Sequence, residues 1–162
     1  MFMLVIRDLV TEWGSFYSNH AALRTLVAFA HVGGLVAAGG AALMADRGIL
    51  SALRRDESER GFLLKSVRNT HALVLTGLVA VLASGVLLFA ADVDTYIASK
   101  LFWTKMALVV FLMINGAVLT AAERRATAAS HDSWGTLRWT AIASLTLWCL
   151  TTLIGVALPN IG

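Results

Sequence analysis

Along this chain the charged residues come in short bursts. Between them lie four stretches without a single Asp, Glu, Lys or Arg: Thr25 to Ala45, Asn69 to Ala91, Met106 to Ala122 and Trp139 to Gly162. They hold 21, 23, 17 and 24 residues. At 1.5 Å of rise per helical residue, about 20 residues cross the roughly 30 Å hydrocarbon layer of a bilayer, so each stretch is predicted to cross once. The third lengthens when Leu101, Phe102 and Trp103 are added, which sets Lys105 one turn inside the boundary. None alternates polar and apolar residues in steps of two, as a barrel strand would. The pattern predicts an all-α membrane protein, a four-transmembrane-helix bundle forming a single membrane domain over 1–162, with spans at about 22–46, 68–91, 101–122 and 137–158.

Ahead of the first span, Phe2, Val5, Ile6, Leu9, Val10, Trp13, Phe16 and Tyr17 recur at helical spacing. Arg7, Asp8, Thr11, Glu12 and Ser15 fall on the other face. This two-faced pattern predicts an amphipathic interfacial helix over 1–19, lying on the bilayer. It lacks the basic start, continuous apolar centre and small-residue cleavage site of a removable signal, so the segment is expected to be retained.

Composition narrows the class further. Hydrophobic residues make up 58% and charged residues 14%, against about 45–50% and about 25% in soluble domains. The net charge of +3 would suit a nucleic-acid partner, but the basic residues sit in short connections beside the spans. Arg47, Arg54, Arg55, Arg60, Lys65 and Arg68 separate spans one and two, and Arg124, Arg125 and Arg138 separate spans three and four, together nine of the 13 Lys and Arg. The positive-inside rule then places both basic connections in the cytoplasm and both termini outside, without nucleic acid. The first connection, Asp46 to Lys65, has the composition of a short surface helix. A lone Cys149 permits no intramolecular disulfide.

An ionisable group inside a span costs about 2.5–3.5 kcal/mol on insertion scales and is usually turned toward protein, water or a ligand. Three groups meet that description: His31, His71 and Lys105. His31 shares a helix face with Gly34 and Ala38, a side-chain-poor surface against which a planar macrocycle could lie. Small residues at this spacing also serve close helix packing, in which His31 would only hydrogen-bond across the interface. Lys105 and Asn115 fall on one face that should point into the bundle, unless Lys105 snorkels to the interface. His71 opens span two at a different depth from His31, so the pair is poorly placed to sandwich one iron; a second site, headgroups or a helix cap are its other roles. His20 and His131 are expected at the surface, Met44, Met106 and Met113 in the core, and Trp13, Trp103, Trp134 and Trp139 at the interfaces. No zinc spacing, phosphate loop or nucleophile motif is present, and no span contains paired carboxylates, which disfavours a hydrolase or an ion-driven transporter. Imidazole and ammonium suit a tetrapyrrole, the first as axial ligand and the second as partner of a propionate.

The stretches His31-Val-Gly-Gly-Leu-Val, Met44-Ala-Asp-Arg-Gly-Ile-Leu50, Leu75-Thr-Gly-Leu-Val, Ala83-Ser-Gly-Val-Leu-Leu-Phe89 and Phe102-Trp-Thr-Lys-Met106 to Asn115-Gly116 resemble small bacterial four-helix membrane proteins of uncharacterised function. These are similar to copper-resistance D-type membrane domains and, more distantly, to HemJ-type protoporphyrinogen oxidases. The resemblance covers about residues 24–120. It implies a heme b site in which His31 takes the position of the first-span ligand and Lys105 that of a required third-span lysine. Where the HemJ-type pattern has a His near that lysine this chain has Phe102-Trp103, so the resemblance implies a cofactor and not the oxidase reaction.

Together these readings predict a heme b-binding protein of a bacterial inner membrane that transfers electrons, with quinone as a candidate partner. His31 would ligate iron beside Gly34, Lys105 and Asn115 would touch the heme edge, and His71 would be a second ligand or lie near a second site. The alternatives are a cofactor-free structural subunit of a membrane complex and, last, a small-solute or metal transporter. Glycine- and alanine-rich faces leave a homodimer open.

Overall fold

The computed structural model describes residues 2–56, 59–60, 70–127 and 133–161. Among these the chain is all-α: α1 (Phe2–Asn19), α2 (Ala21–Ala52), α3 (His71–Ala91), α4 (Val93–Ala98), α5 (Lys100–Thr127) and α6 (Ser133–Ile161). Four of them, α2, α3, α5 and α6, are long and apolar enough to cross a membrane. Lys65, Arg68 and His131 lie outside the described residues, as do residues 57–58 and 61–65 of the connection between the first two spans, where a surface helix is expected. The side chains of Phe2, Val5 and Ile6 are likewise outside the described set.

Packing follows from residue size. In hydrocarbon there is no hydrophobic gain from bringing helices together, so close fit supplies the attraction. At the α2–α3 crossing Gly34 and Gly77 face each other: a Cβ on Gly77 would lie 2.8 Å from Ala38 Cβ and 2.8 Å from Ala38 N, and one on Gly34 would lie 2.9 Å from the Gly77 carbonyl oxygen. Backbone meets backbone there because neither residue has a side chain. α2 also packs on α6, with the Trp148 ring 3.3 Å from where a Gly39 Cβ would stand, and α6 packs on α5. The order in space is therefore α3, α2, α6, α5. Among the described residues α3 and α5 lack comparable backbone contact. They meet through side chains at their two ends, where Phe89 stacks on Phe102 at 5.3 Å between ring centroids and His71 reaches Glu123.

The densest packing lies toward the end that carries the two basic connections. Ala45, Ile49, Leu119, Ala122, Leu137 and Ala141 form one cluster contributed by α2, α5 and α6. Outward faces are apolar instead of charged: Phe29, Val36, Leu75, Val79, Phe111 and Val156 all project away from the bundle, as expected of surfaces solvated by lipid. Met44 and Met113 belong to these outward faces, which corrects the expectation that they fill the core.

α1 is joined to α2 by His20 alone, whose extended backbone (φ −116°, ψ 92°) turns the chain. Trp13 Nε1 donates to the Leu87 carbonyl at 2.9 Å, and Gly14 lets α1 approach the Ala91 carbonyl, which a Cβ would meet at 3.0 Å. α1 is thus fastened to the end of α3 through part of its apolar stripe, while Leu9 and Phe16 remain exposed. A short helix absent from the sequence reading, α4, closes the α3–α5 connection. Asp92 caps it by accepting from the Thr95 amide, satisfying one of the donors that every helix start leaves open.

Candidate functional site

His31 is held by α3. Its Nδ1 lies 3.0 Å from Ser84 Oγ, and Gly85 on the next position of α3 leaves room for the ring, since a Cβ there would lie 3.4 Å from Cε1. The hydroxyl proton of Ser84 is committed to its own helix, directed at the Ala80 carbonyl at 2.5 Å with Val81 at 3.2 Å. Ser84 Oγ therefore accepts, and His31 Nδ1–H donates. This assigns the neutral tautomer in which Nε2 carries the lone pair. The Val81 backbone also hydrogen-bonds the ring, and the nitrogen bonded to a side chain is Nδ1. An imidazole anchored through one nitrogen is the arrangement that presents an axial ligand.

Lys105 opens inward, and Gly155 of α6 accommodates it: Nζ stands 3.4 Å from where a Cβ would be. The ammonium lies within electrostatic range of His31. Both groups sit just below the Phe89–Phe102 stack, in the part of the bundle where α3 and α5 stand apart. Thr151, one turn before Gly155, is 3% exposed and its Oγ1 has no hydrogen-bond partner among the described residues.

Asn115 occupies the face expected of it but is already engaged. Its Nδ2 donates to the Thr140 carbonyl of α6 at 3.0 Å, nearly three turns from Lys105, so it fastens α5 to α6. Gly34 requires a second correction. Its surface is covered by Gly77 and Val81 at 2.9 Å from a Cβ position, so no macrocycle lies on it. The small-residue face beside His31 is a helix-packing surface.

His71 stands apart from His31. It lies 13 residues before Ser84 on α3, roughly 20 Å along the axis at 1.5 Å per residue. The expectation that the two imidazoles differ in depth agrees with this separation. His71 Nε2 is 2.7 Å from Glu123 Oε2, so its ring is oriented by a carboxylate. His20 is a surface residue as expected, stacked on Phe16 with Nδ1 on the Phe16 carbonyl.

The sequence reading missed a polar cluster at the basic end. Asp46 is 1% and Glu123 7% exposed, and each is the first residue after a charge-free run. Counting such runs ended the spans at Ala45 and Ala122, but the helices continue to Ala52 and Thr127. Asp46 hydrogen-bonds Ser144 of α6 and lies within electrostatic range of Glu123. Two buried carboxyls thus act on each other electrostatically inside the bundle, and their supposed absence no longer counts against ion chemistry. Helical spacing was the signal available: Asp46 falls on the same face as Ala38, Ala42 and Ile49, all buried.

Among the described residues no group of three or more His, Cys, Asp or Glu is arranged to hold a metal ion. An imidazole and an ammonium within electrostatic range of each other are groups that could hold a heme, the first as axial ligand and the second as partner of a propionate. No family model, curated protein or solved structure matches the chain.

Proposed function

We propose that this protein binds heme b within the bilayer at His31 and carries electrons, with a membrane quinone as its redox partner. The observation that carries the reading is the His31–Ser84 bond, which fixes an imidazole through Nδ1 inside a transmembrane bundle. Lys105 supports it, because an ammonium in the membrane interior needs an anionic partner and a heme propionate is one. When bound, the iron would supply one-electron exchange at a potential set by its axial ligand and burial. Ser84 holds the imidazole tautomer, Lys105 neutralises a carboxylate, and the Phe89–Phe102 stack covers the site from the side of the termini. The positive-inside rule orients the basic end toward the cytoplasm of a bacterial inner membrane, with both termini outside.

Hemin titration of the purified protein in detergent tests this. Wild type should bind one hemin per chain, His31→Ala should lose axial coordination, and Lys105→Ala should bind more weakly while keeping the same spectral type. Equal binding by wild type and His31→Ala would refute the assignment.

A further inference from the structure

At the basic end all four spans send a polar side chain to one place: Asp46 from α2, His71 from α3, Glu123 from α5 and Ser144 from α6. We propose that Asp46 is a proton-exchange site, loaded from the basic end through His71 and Glu123. This stands independently of the heme reading.

The reasoning starts from Asp46 itself. One of its oxygens is bonded to Ser144, and Oδ2 is buried without a hydrogen-bond partner among the described residues. The groups acting on the side chain are a hydroxyl and a second carboxyl, that of Glu123. A buried carboxylate is tolerated when paired with a cation or fully hydrogen-bonded, and the groups acting on Asp46 supply neither. A proton on Oδ2 removes the charge and converts the orphan acceptor into a donor, able to reach an acceptor directly or through a water. Two carboxyls that share a site share protons in this way.

Access is built in as well. The His71 side chain is 28% exposed, and its Nε2 is 2.7 Å from Glu123 Oε2. A proton taken from solvent by the imidazole passes from Nε2 to Glu123 and on to Asp46. Only the proton moves: His71 returns to its neutral form, Asp46 becomes an uncharged acid, and the solution is one proton poorer. Of the titratable groups on the surrounding helices, α2 presents Asp46, α3 His71 and α5 Glu123, while α6 presents the Ser144 hydroxyl. Arg47, Arg124, Arg125 and Arg138 are exposed around the cluster.

Infrared difference spectroscopy of the full chain in detergent, in mildly acidic buffer and on stepping to alkaline buffer, tests the proposal. A protonated-carboxyl band present in mildly acidic buffer, lost in alkali and absent from Asp46→Asn is the expected result. Ser144→Ala should shift that band, and His71→Phe should slow its exchange in D2O without changing its position. Absence of the band in wild type, its survival in Asp46→Asn, or a band indifferent to alkali would overturn the proposal. If Asp46→Asn fails to fold, the Ser144→Ala spectrum decides, and an unmoved band contradicts the assignment.

Discussion

Replacing Gly77 with Ala places a methyl group where the α2 backbone already stands. The new Cβ would begin 2.8 Å from both Cβ and N of Ala38, and ordinary van der Waals contact begins at 3.4 Å, so the helices must separate by about 0.6 Å. Two of the atoms it would meet are backbone, Ala38 N and the Gly34 carbonyl oxygen, and a rotamer change cannot relieve them. Overpacking of this kind costs about 1–3 kcal/mol, and the higher helix propensity of Ala offsets up to about 1 kcal/mol, leaving a net loss of roughly 1–2 kcal/mol. Ser84 lies two turns further along the same helix, so the displacement would stretch the 3.0 Å His31–Ser84 bond toward about 3.6 Å, beyond hydrogen-bonding range. Reversible unfolding from mild detergent into SDS, followed by circular dichroism, measures the loss. Gly33→Ala is the control, because nothing lies within 4 Å of a Cβ there. A Gly77→Ala protein as stable as Gly33→Ala would refute the packing described for α2 and α3.

Other substitutions test the remaining contacts. Asn115→Ala should cost about 0.6 kcal/mol, the average for an interhelical hydrogen bond in a membrane, in the same unfolding assay, and should leave hemin affinity unchanged. Trp13→Phe removes the donor to the Leu87 carbonyl at a cost of about 1 kcal/mol, and should speed proteolysis within α1 while the four spans stay protected. Tyr96, in α4, has its phenol held above its usual value of 10.0 by burial, with Asp92 and Tyr17 adding to the effect. Above that pH the unfolded chain releases a proton that the folded chain keeps, so stability should fall as pH rises from 10.0 toward the folded value. Tyr96→Phe should flatten that part of the stability profile measured by thermal unfolding.

The spans were legible because crossing hydrocarbon demands long charge-free helices, and that demand is written in consecutive residues. Lys105 and Asn115 were legible as sharing one face, and both do point at α6, one toward Gly155 and the other onto the Thr140 carbonyl. The partners were not legible. Whether Gly34 offers a surface to a ligand or to another helix depends on what stands opposite, and Gly77 lies 43 positions further along the chain. The same holds for His71, whose partner Glu123 is 52 residues away. Asp46 and Glu123 escaped notice for a different reason. Absence of charge is a rule about lipid-facing surface, whereas both carboxyls face protein, where the cost of a polar group is set by its neighbours instead.

The most direct test of the site is the visible absorption spectrum, oxidised and dithionite-reduced, of protein purified from heme-replete cells beside His31→Ala and His71→Ala. A Soret band with reduced b-type peaks that vanishes in His31→Ala and persists in His71→Ala is the expected result, since His71 is engaged by Glu123 roughly 20 Å away along α3. A folded, colourless wild type, or a band lost equally in both variants, would contradict it.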